Sequence, residues 1–259
     1  MIKYMTRRAI LNKGMILAAG IPIFMFYYEL FVGQNLLYII EQSGIYWNGL
    51  TLVSEVFALS VYIIFAGMFP GIPYGFSLLE ERNSGYLRFI LQRMSAKRYI
   101  QSKIFLVGIS GAVSTFIPYL ALAVPVWMLT VDSGVEPYQN LAFVLQWQQI
   151  ALTYGEGMVY LLKGLLMVLF GILWAEVTLL LSLFVKNKYI AFVLPFVLFQ
   201  LIWILIPNHD LNPVFLIRSD STVDEWSLGW SFILFILYTV LVIIGIYFVF
   251  RRQVRNEKI

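Results

Sequence analysis

The sequence predicts an all-α, polytopic membrane protein with six transmembrane helices and both termini in the cytoplasm. Three observations predict it. The chain is 61% hydrophobic and only 12% charged, with a mean hydropathy of +0.82, whereas soluble domains are roughly 45–50% apolar and about 25% charged. Its charged clusters cut it into six apolar runs, each near the ~20 residues that cross the hydrocarbon. The basic residues crowd into alternate gaps between those runs.

The runs, in order, are Gly14–Val32, Glu55–Leu79, Ile104–Val131, Val159–Val185, Tyr189–Pro207 and Trp230–Phe250. The first is not read as a cleavable signal, because it lacks a small-x-small cleavage site and five further runs follow. Lys3, Arg7, Arg8 and Lys13 precede the first run. Arg82, Arg88, Arg93, Lys97, Arg98 and Lys103 lie around the second gap, Lys186 and Lys188 in the fourth, and Arg251, Arg252, Arg255 and Lys258 follow the sixth. That is 16 of the 18 basic residues on one side, leaving Lys163 and Arg218. The positive-inside rule makes this side cytoplasmic. The net charge of +4 is then the mark of an inner face and requires no nucleic-acid partner. The chain reads as a single transmembrane domain over 1–259. Within it, 1–13 is an N-terminal interfacial segment, 80–103 a cytoplasmic loop, and 132–157 and 208–229 are external loops, with Trp147 and Tyr154 suited to the headgroup boundary.

Several chemistries are excluded or disfavoured by what the chain contains. There is no cysteine and one histidine, His209, so thiolate chemistry is absent and no histidine-based metal cluster is expected. Gly108-Ile109-Ser110-Gly111 matches the GxSG of rhomboid-type intramembrane proteases. Its serine needs a base within reach, and His209 falls on the opposite side of the bilayer, so small residues packing one helix on another are the better reading. Glu80-Glu81-Arg82 is similar to the paired glutamates of a membrane-embedded metalloprotease family, but the further histidine ligands are missing. No GxxxxGK[ST] occurs, so the chain has no phosphate-cradling loop. The expectation is a non-enzymatic chain, and any ATP-driven step would belong to another polypeptide.

The segment 80–103 is the most informative polar stretch. Asn83-Ser84-Gly85 predicts a chain break and a helix N-cap. Tyr86, Leu87, Ile90, Leu91 and Met94 then form an apolar stripe at helical spacing, with Arg88, Gln92, Arg93 and Ser95 facing elsewhere. Two readings stay open: a basic helix lying on anionic lipid, or a short helix docking into a partner's groove.

Glu81 to Arg88, followed by Arg93-Met94-Ser95 and Tyr99-Ile100-Gln101-Ser102-Lys103, resembles the loop between the second and third helices of ABC-2 type permeases. In that family an acidic residue and a glycine precede an apolar helix, then a small residue, a spacer and a lysine open the third span. The six-span layout, the basic N-terminal segment and the length also match, and Ser95 stands where many members have proline. The resemblance implies an ABC-2, type V exporter-like fold. It implies a homodimer, or a pairing with a paralogous permease, and separate ATPase subunits that hold ATP and Mg. The coupling residues would be Glu81, Asn83, Gly85, Tyr86, Leu87, Arg88, Ile90, Leu91, Arg93 and Met94, with 1–13 as an interfacial elbow. Such permeases in Gram-positive plasma membranes commonly export peptides, antibiotics or lipid-like compounds; the layout is similar to phenol-soluble modulin exporters and bacteriocin-immunity permeases. The alternative from the residues alone is an ion-coupled carrier or a membrane scaffold.

Inside the membrane, Glu176 lies about nine residues, ~13 Å, from the cytoplasmic end of its span, and an intramembrane charge is a functional candidate by default. Glu29, Glu55 and Lys163, near outer ends, are expected to anchor at the interface. Gly67, Gly71 and Gly75 recur every four residues with Pro70 and Pro73 between them. This pattern predicts either a hinge above the coupling segment or a permanently kinked packing interface. Phe192, Phe196, Phe199, Gln200 and Trp203 share one side of the fifth run, as candidates for lining a cavity for amphipathic cargo or for packing between helices.

Overall fold

The computed structural model describes residues 7–33, 49–130, 150, 153–206, 211–213, 217 and 227–255. The expectations placed on 1–6, on most of the 132–157 and 208–229 loops, and on Trp147 and His209 lie outside the described residues. The described chain is helical, with no strand. Five helices are long and apolar enough to cross a membrane: Arg7–Gly33, Ala96–Met128, Glu156–Phe184, Lys188–Leu205 and Gly229–Arg255.

Helix α1, Lys13–Tyr28, starts at Asn12, whose side chain accepts a hydrogen bond from the Met15 amide at 2.8 Å and so caps it. Its last turn widens into a π-helical segment, Glu29–Gly33. The second apolar run is not one continuous helix. It comprises α2 (Gly49–Leu59), the single turn α3 (Tyr62–Phe65), a 3₁₀ turn at Phe69–Gly71 and α4 (Ser77–Asn83). Pro70 and Pro73 lack the amides that would continue an α-helical ladder. Tighter turns take over, with Met68 N bonded to Phe65 O at 2.9 Å and Ile72 N to Phe69 O at 3.2 Å. Several backbone groups of this broken stretch thus keep partners within the chain, as a dry environment demands.

Gly85 takes a left-handed conformation, φ 73°, which a side chain would strain. It turns the chain from α4 into α5 (Tyr86–Arg93). Helix α6 then runs Ala96–Thr130, α7 Glu156–Phe184, α8 Lys188–Leu205 and α9 Ser227–Arg255.

Helix α7 is the centre of the bundle, packed antiparallel on α6 and flanked by α9. Small residues set the α6–α7 crossing: a Cβ on Gly111 would collide with the Gly171 carbonyl, and one on Gly171 with the Gly111 carbonyl. Thr115 donates across the contact to the Met167 carbonyl at 2.8 Å, and Tyr119 to the Tyr160 carbonyl at 2.6 Å. Ser110, next to Gly111 of this crossing, is fully buried and donates to the Val107 carbonyl of its own helix at 2.9 Å.

The outer surface is apolar. Ile16, Phe24, Tyr189, Ile204 and Phe248 are each more than two-thirds exposed, and α8 and α9 turn most of their apolar length outward. Water would not tolerate such a continuous patch. This is the surface of a membrane protein.

Candidate functional site

The ends of the helices that carry the basic clusters come together at one end of the bundle, here the basic end. At its centre is a buried ion pair. Lys103, fully buried near the start of α6, donates to Glu81 Oε1 of α4 at 2.7 Å, to Ser77 Oγ at 3.0 Å and to the Tyr74 hydroxyl at 3.3 Å. All three ammonium protons have acceptors. The ammonium also lies 4.6 Å from the centre of the Tyr74 ring, where the ring's negative face attracts it. Glu81 Oε2 accepts from the Tyr99 hydroxyl at 2.5 Å. Arg8 approaches Glu81 at 3.9 Å and Glu80 at 3.5 Å, and Lys188 reaches Glu80 at 3.3 Å. The Glu80 pairs are half-exposed and contribute little; the Lys103–Glu81 pair is walled off from water.

A second set of bonds closes the basic end of α7, whose last carbonyls have no partners within the helix. Arg82 donates to the Leu183 carbonyl at 3.0 Å, to Ser182 at 3.3 Å and to Val185. Asn83 donates to Lys186 at 2.8 Å, and Gln253 of α9 to Leu183 at 2.7 Å. Partial burial of the Arg82 guanidinium lowers its pKa from the usual arginine value. Asn12 adds a third tie, donating to the Pro73 carbonyl at 3.1 Å.

These anchors hold α5 in place and divide its residues into two faces. Leu87 and Ile90 are buried against the bundle, with Leu91 and Met94 partly buried beside them. Tyr86 and Phe89 are 55% and 62% exposed, and Arg88, Gln92 and Arg93 share the open side with them. The expected stripe is therefore corrected at Tyr86, which points outward. Phe89 joins the open face that the spacing had not singled out. Glu81, Leu87 and Ile90, expected to touch a partner, are occupied within the chain. Nor do Asn83 and Ser84 cap α5: Asn83 reaches Lys186, Ser84 donates to the Glu81 carbonyl at 3.2 Å, and the cap position is Gly85 itself, with no side-chain bond.

The glycine–proline segment is closely packed. A Cβ on Gly67 would meet Phe199 at 2.7 Å, and on Gly71 or Gly75 would run into Thr178 of α7. Pro70 and Pro73 are buried in the same stretch.

The aromatic side of α8 faces this segment. Phe199 fills the Gly67 notch against Trp174 and Phe170, and Phe196 stacks on Phe65 at 5.2 Å. Gln200 donates to the Ile64 carbonyl at 2.6 Å, Trp203 is partly buried against the core, and Phe192 lies against Phe76 at 6.0 Å. These residues pack α8 onto the break.

Glu176 is buried in the middle of α7. Its Oε1 faces Gly108, where an added Cβ would come within 3.3 Å, and its Oε2 has no hydrogen-bond partner. The interfacial expectation for Glu29 and Lys163 is corrected: both are buried, and Lys163 donates to Ser54 of α2. Glu55 is partly buried. Among the described residues no cluster of metal-ligating side chains occurs.

Two apolar crevices open on the bundle's flank. One of about 550 Å³ lies between α6 and α7 around Phe116 and Trp127, and one of about 300 Å³ between α7, α8 and α9. Neither includes Glu176. No family model, curated protein or solved structure matches the chain.

Proposed function

We propose that the chain is the membrane subunit of an ABC-2 type exporter, working as a dimer with separate ATPase subunits in a plasma membrane. What carries the reading is helix α5. It is a short amphipathic helix at the basic end whose apolar face is seated in the bundle and whose open face presents Tyr86, Arg88, Phe89, Gln92 and Arg93. Aromatic and arginine side chains side by side are the usual anchors of a protein contact. In this reading the broken second run is the sixth crossing, both termini are cytoplasmic, and the open face of α5 docks on the ATPase. The cargo is an amphipathic peptide or a lipid-like molecule. ATP and Mg bind the partner alone.

The test is co-purification of the tagged chain from its native membrane with any associated ATPase, compared with Arg88→Glu/Arg93→Glu. Both arginines are exposed, so the variant folds. The expected result is a stable complex that the charge reversal dissolves, with loss of export. Absence of any associated ATPase, or a complex indifferent to the reversal, overturns the reading.

A second reading rests on Glu176. A buried carboxylate with an unpartnered oxygen in mid-helix is also what an ion-coupled carrier would use. It predicts transport that follows an ion gradient and survives ATP depletion.

A further inference from the structure

A groove of about 610 Å³ opens at the basic end between the start of α6 and the last turns of α9. Lys97, Arg251 and Arg255 line it, and among the described residues no acidic one does. Its floor is apolar, built from Ile100, Tyr247 and Phe250. The floor is well packed: Ile100 and Phe250 are buried, and Phe250 stacks on Tyr99 at 5.8 Å. Helix α6 begins at Ala96 on the rim, so the positive end of its dipole adds to the three side chains.

The two helices leave this groove in a particular way. On α9, Arg255 and Arg251 lie on the same side as Phe248 and Ile244, which are 69% and 58% exposed. On α6, Lys97 lies above Gln101 and Phe105, spaced four residues apart, and Phe105 is also exposed. On α9 the cationic end therefore runs into an apolar stripe on the outer surface, and on α6 the polar Gln101 separates Lys97 from the exposed Phe105. A free anion would use only the first part of that surface, and an apolar chain only the second.

We propose that this groove binds the headgroup of an anionic phospholipid from the leaflet that meets the basic end, its acyl chains lying along the α9 stripe of Phe248 and Ile244 with Phe105 of α6 beside it. Three cations over an apolar floor match a phosphate-bearing head joined to hydrocarbon, and the volume falls within the range of small-molecule sites. The assignment is independent of whether the chain works with an ATPase.

Native mass spectrometry of the full-length protein in detergent tests it. The probes are phosphatidylglycerol, phosphatidylcholine of the same chain length, and inorganic phosphate. Phosphatidylglycerol should be retained in preference to phosphatidylcholine. Each cation near an anionic lipid surface accounts for about a fivefold change in binding. Arg251→Gln should therefore weaken retention about fivefold, and Lys97→Gln/Arg251→Gln/Arg255→Gln by about a hundredfold. Arg7→Gln/Lys186→Gln/Arg252→Gln, which removes as much charge outside the groove, should retain the lipid. All of these side chains are exposed, so the variants fold.

Equal retention of both lipids, or a triple groove variant that binds as the unaltered protein does, overturns the proposal. So does inorganic phosphate displacing the lipid at millimolar concentration, which would make the groove a site for a free anion. A groove variant that keeps its lipid but loses a co-purifying protein would make it a protein contact, and would overturn the lipid assignment too.

Discussion

The buried pair between Lys103 and Glu81 makes the sharpest energetic statement available for this fold. Suppose Glu81 becomes glutamine. The Lys103 ammonium keeps the Ser77 and Tyr74 oxygens and the ring face of Tyr74, but its counter-charge is gone. The next carboxylate, Glu80, is half-exposed and already engaged with Arg8 and Lys188. Breaking a buried pair from one side costs about 3–5 kcal/mol, because a charge is left without compensation. Suppose instead that Lys103 becomes methionine. Glu81 keeps the Tyr99 hydroxyl, and the half-exposed Arg8, at 3.9 Å, can close on it. The loss should therefore sit at or below the lower end of that range, about 2–3 kcal/mol. Glu81→Gln should be the more damaging of the two.

The double variant separates a true pair from two independent sites. With both charges removed, no ion is left stranded, and the coupling in the double-mutant cycle should be about 2–3 kcal/mol in the direction of rescue. The chain carries seven tryptophans, so thermal unfolding can be followed by intrinsic fluorescence in detergent at one fixed scan rate. At roughly 2–4 °C per kcal/mol, Glu81→Gln should lower the midpoint by roughly 6–20 °C, with Glu81→Gln/Lys103→Met melting above it. If the losses simply add, or if Lys103→Met is the worse variant, the reasoning about counter-charge and about Arg8 is wrong.

Three further outcomes follow from the packing. Gly71→Ala would drive a Cβ into Thr178; it should cost about 1–3 kcal/mol, and pairing it with Thr178→Ser should recover part of the loss in the same melt. Pro70→Ala/Pro73→Ala restores two backbone donors to the broken segment. If the segment is a hinge, ATPase stimulation by cargo and export should both fall several-fold at unchanged protein level, while unchanged export leaves it a fixed kink. Glu176→Gln keeps the side chain's shape and removes its ionisable group. Export driven by a partner ATPase should persist within about twofold, and its abolition together with loss of ion-gradient dependence in a vesicle assay would favour the carrier.

The parts of this structure legible in the sequence are those that repeat locally. Apolar runs mark the long helices because hydrocarbon requires about 20 apolar residues in succession. Gly67, Gly71 and Gly75 with two intervening prolines announce an interrupted helix because proline lacks an amide and glycine admits a close neighbour. The break at Gly85 was readable for a similar local reason, since only glycine takes its left-handed conformation freely. The anchors were not readable. Glu81 and Lys103 are 22 residues apart, and Arg82 and Asn83 find their acceptors about 100 residues onward. No periodicity links such pairs; they exist because the ends of α4, α6 and α7 meet. The same absence of long-range signal misassigned Tyr86, whose place on α5 depends on which side of the helix the bundle occupies. It also misassigned Lys163, drawn inward by a hydroxyl on α2.

The arrangement of these anchors bears on how a push at the basic end would travel. Ser77 and Glu81 lie on α4, Tyr74 lies in the broken segment, and all three converge on Lys103 of α6. Arg82 and Asn83, on the next positions of α4, are tied to the end of α7. Helix α4 is therefore fastened on two sides and continuous with α5 through a single left-handed glycine. On the coupling reading, a force on the open face of α5 cannot be absorbed by α4 alone. Either it is passed to α6 and α7, whose small-residue crossing leaves little room to slide independently, or it moves the segment above α4. That segment has short turns in place of a continuous helix, and resists through its packing on Thr178 and Phe199. Gly85→Ala distinguishes a stiff joint from a loose one: the added side chain strains φ 73° without touching a neighbour. A stiff joint predicts that partner binding is retained while cargo-stimulated ATPase activity falls. Equal loss of both would mean that Gly85 only positions α5, and that force is not transmitted through it.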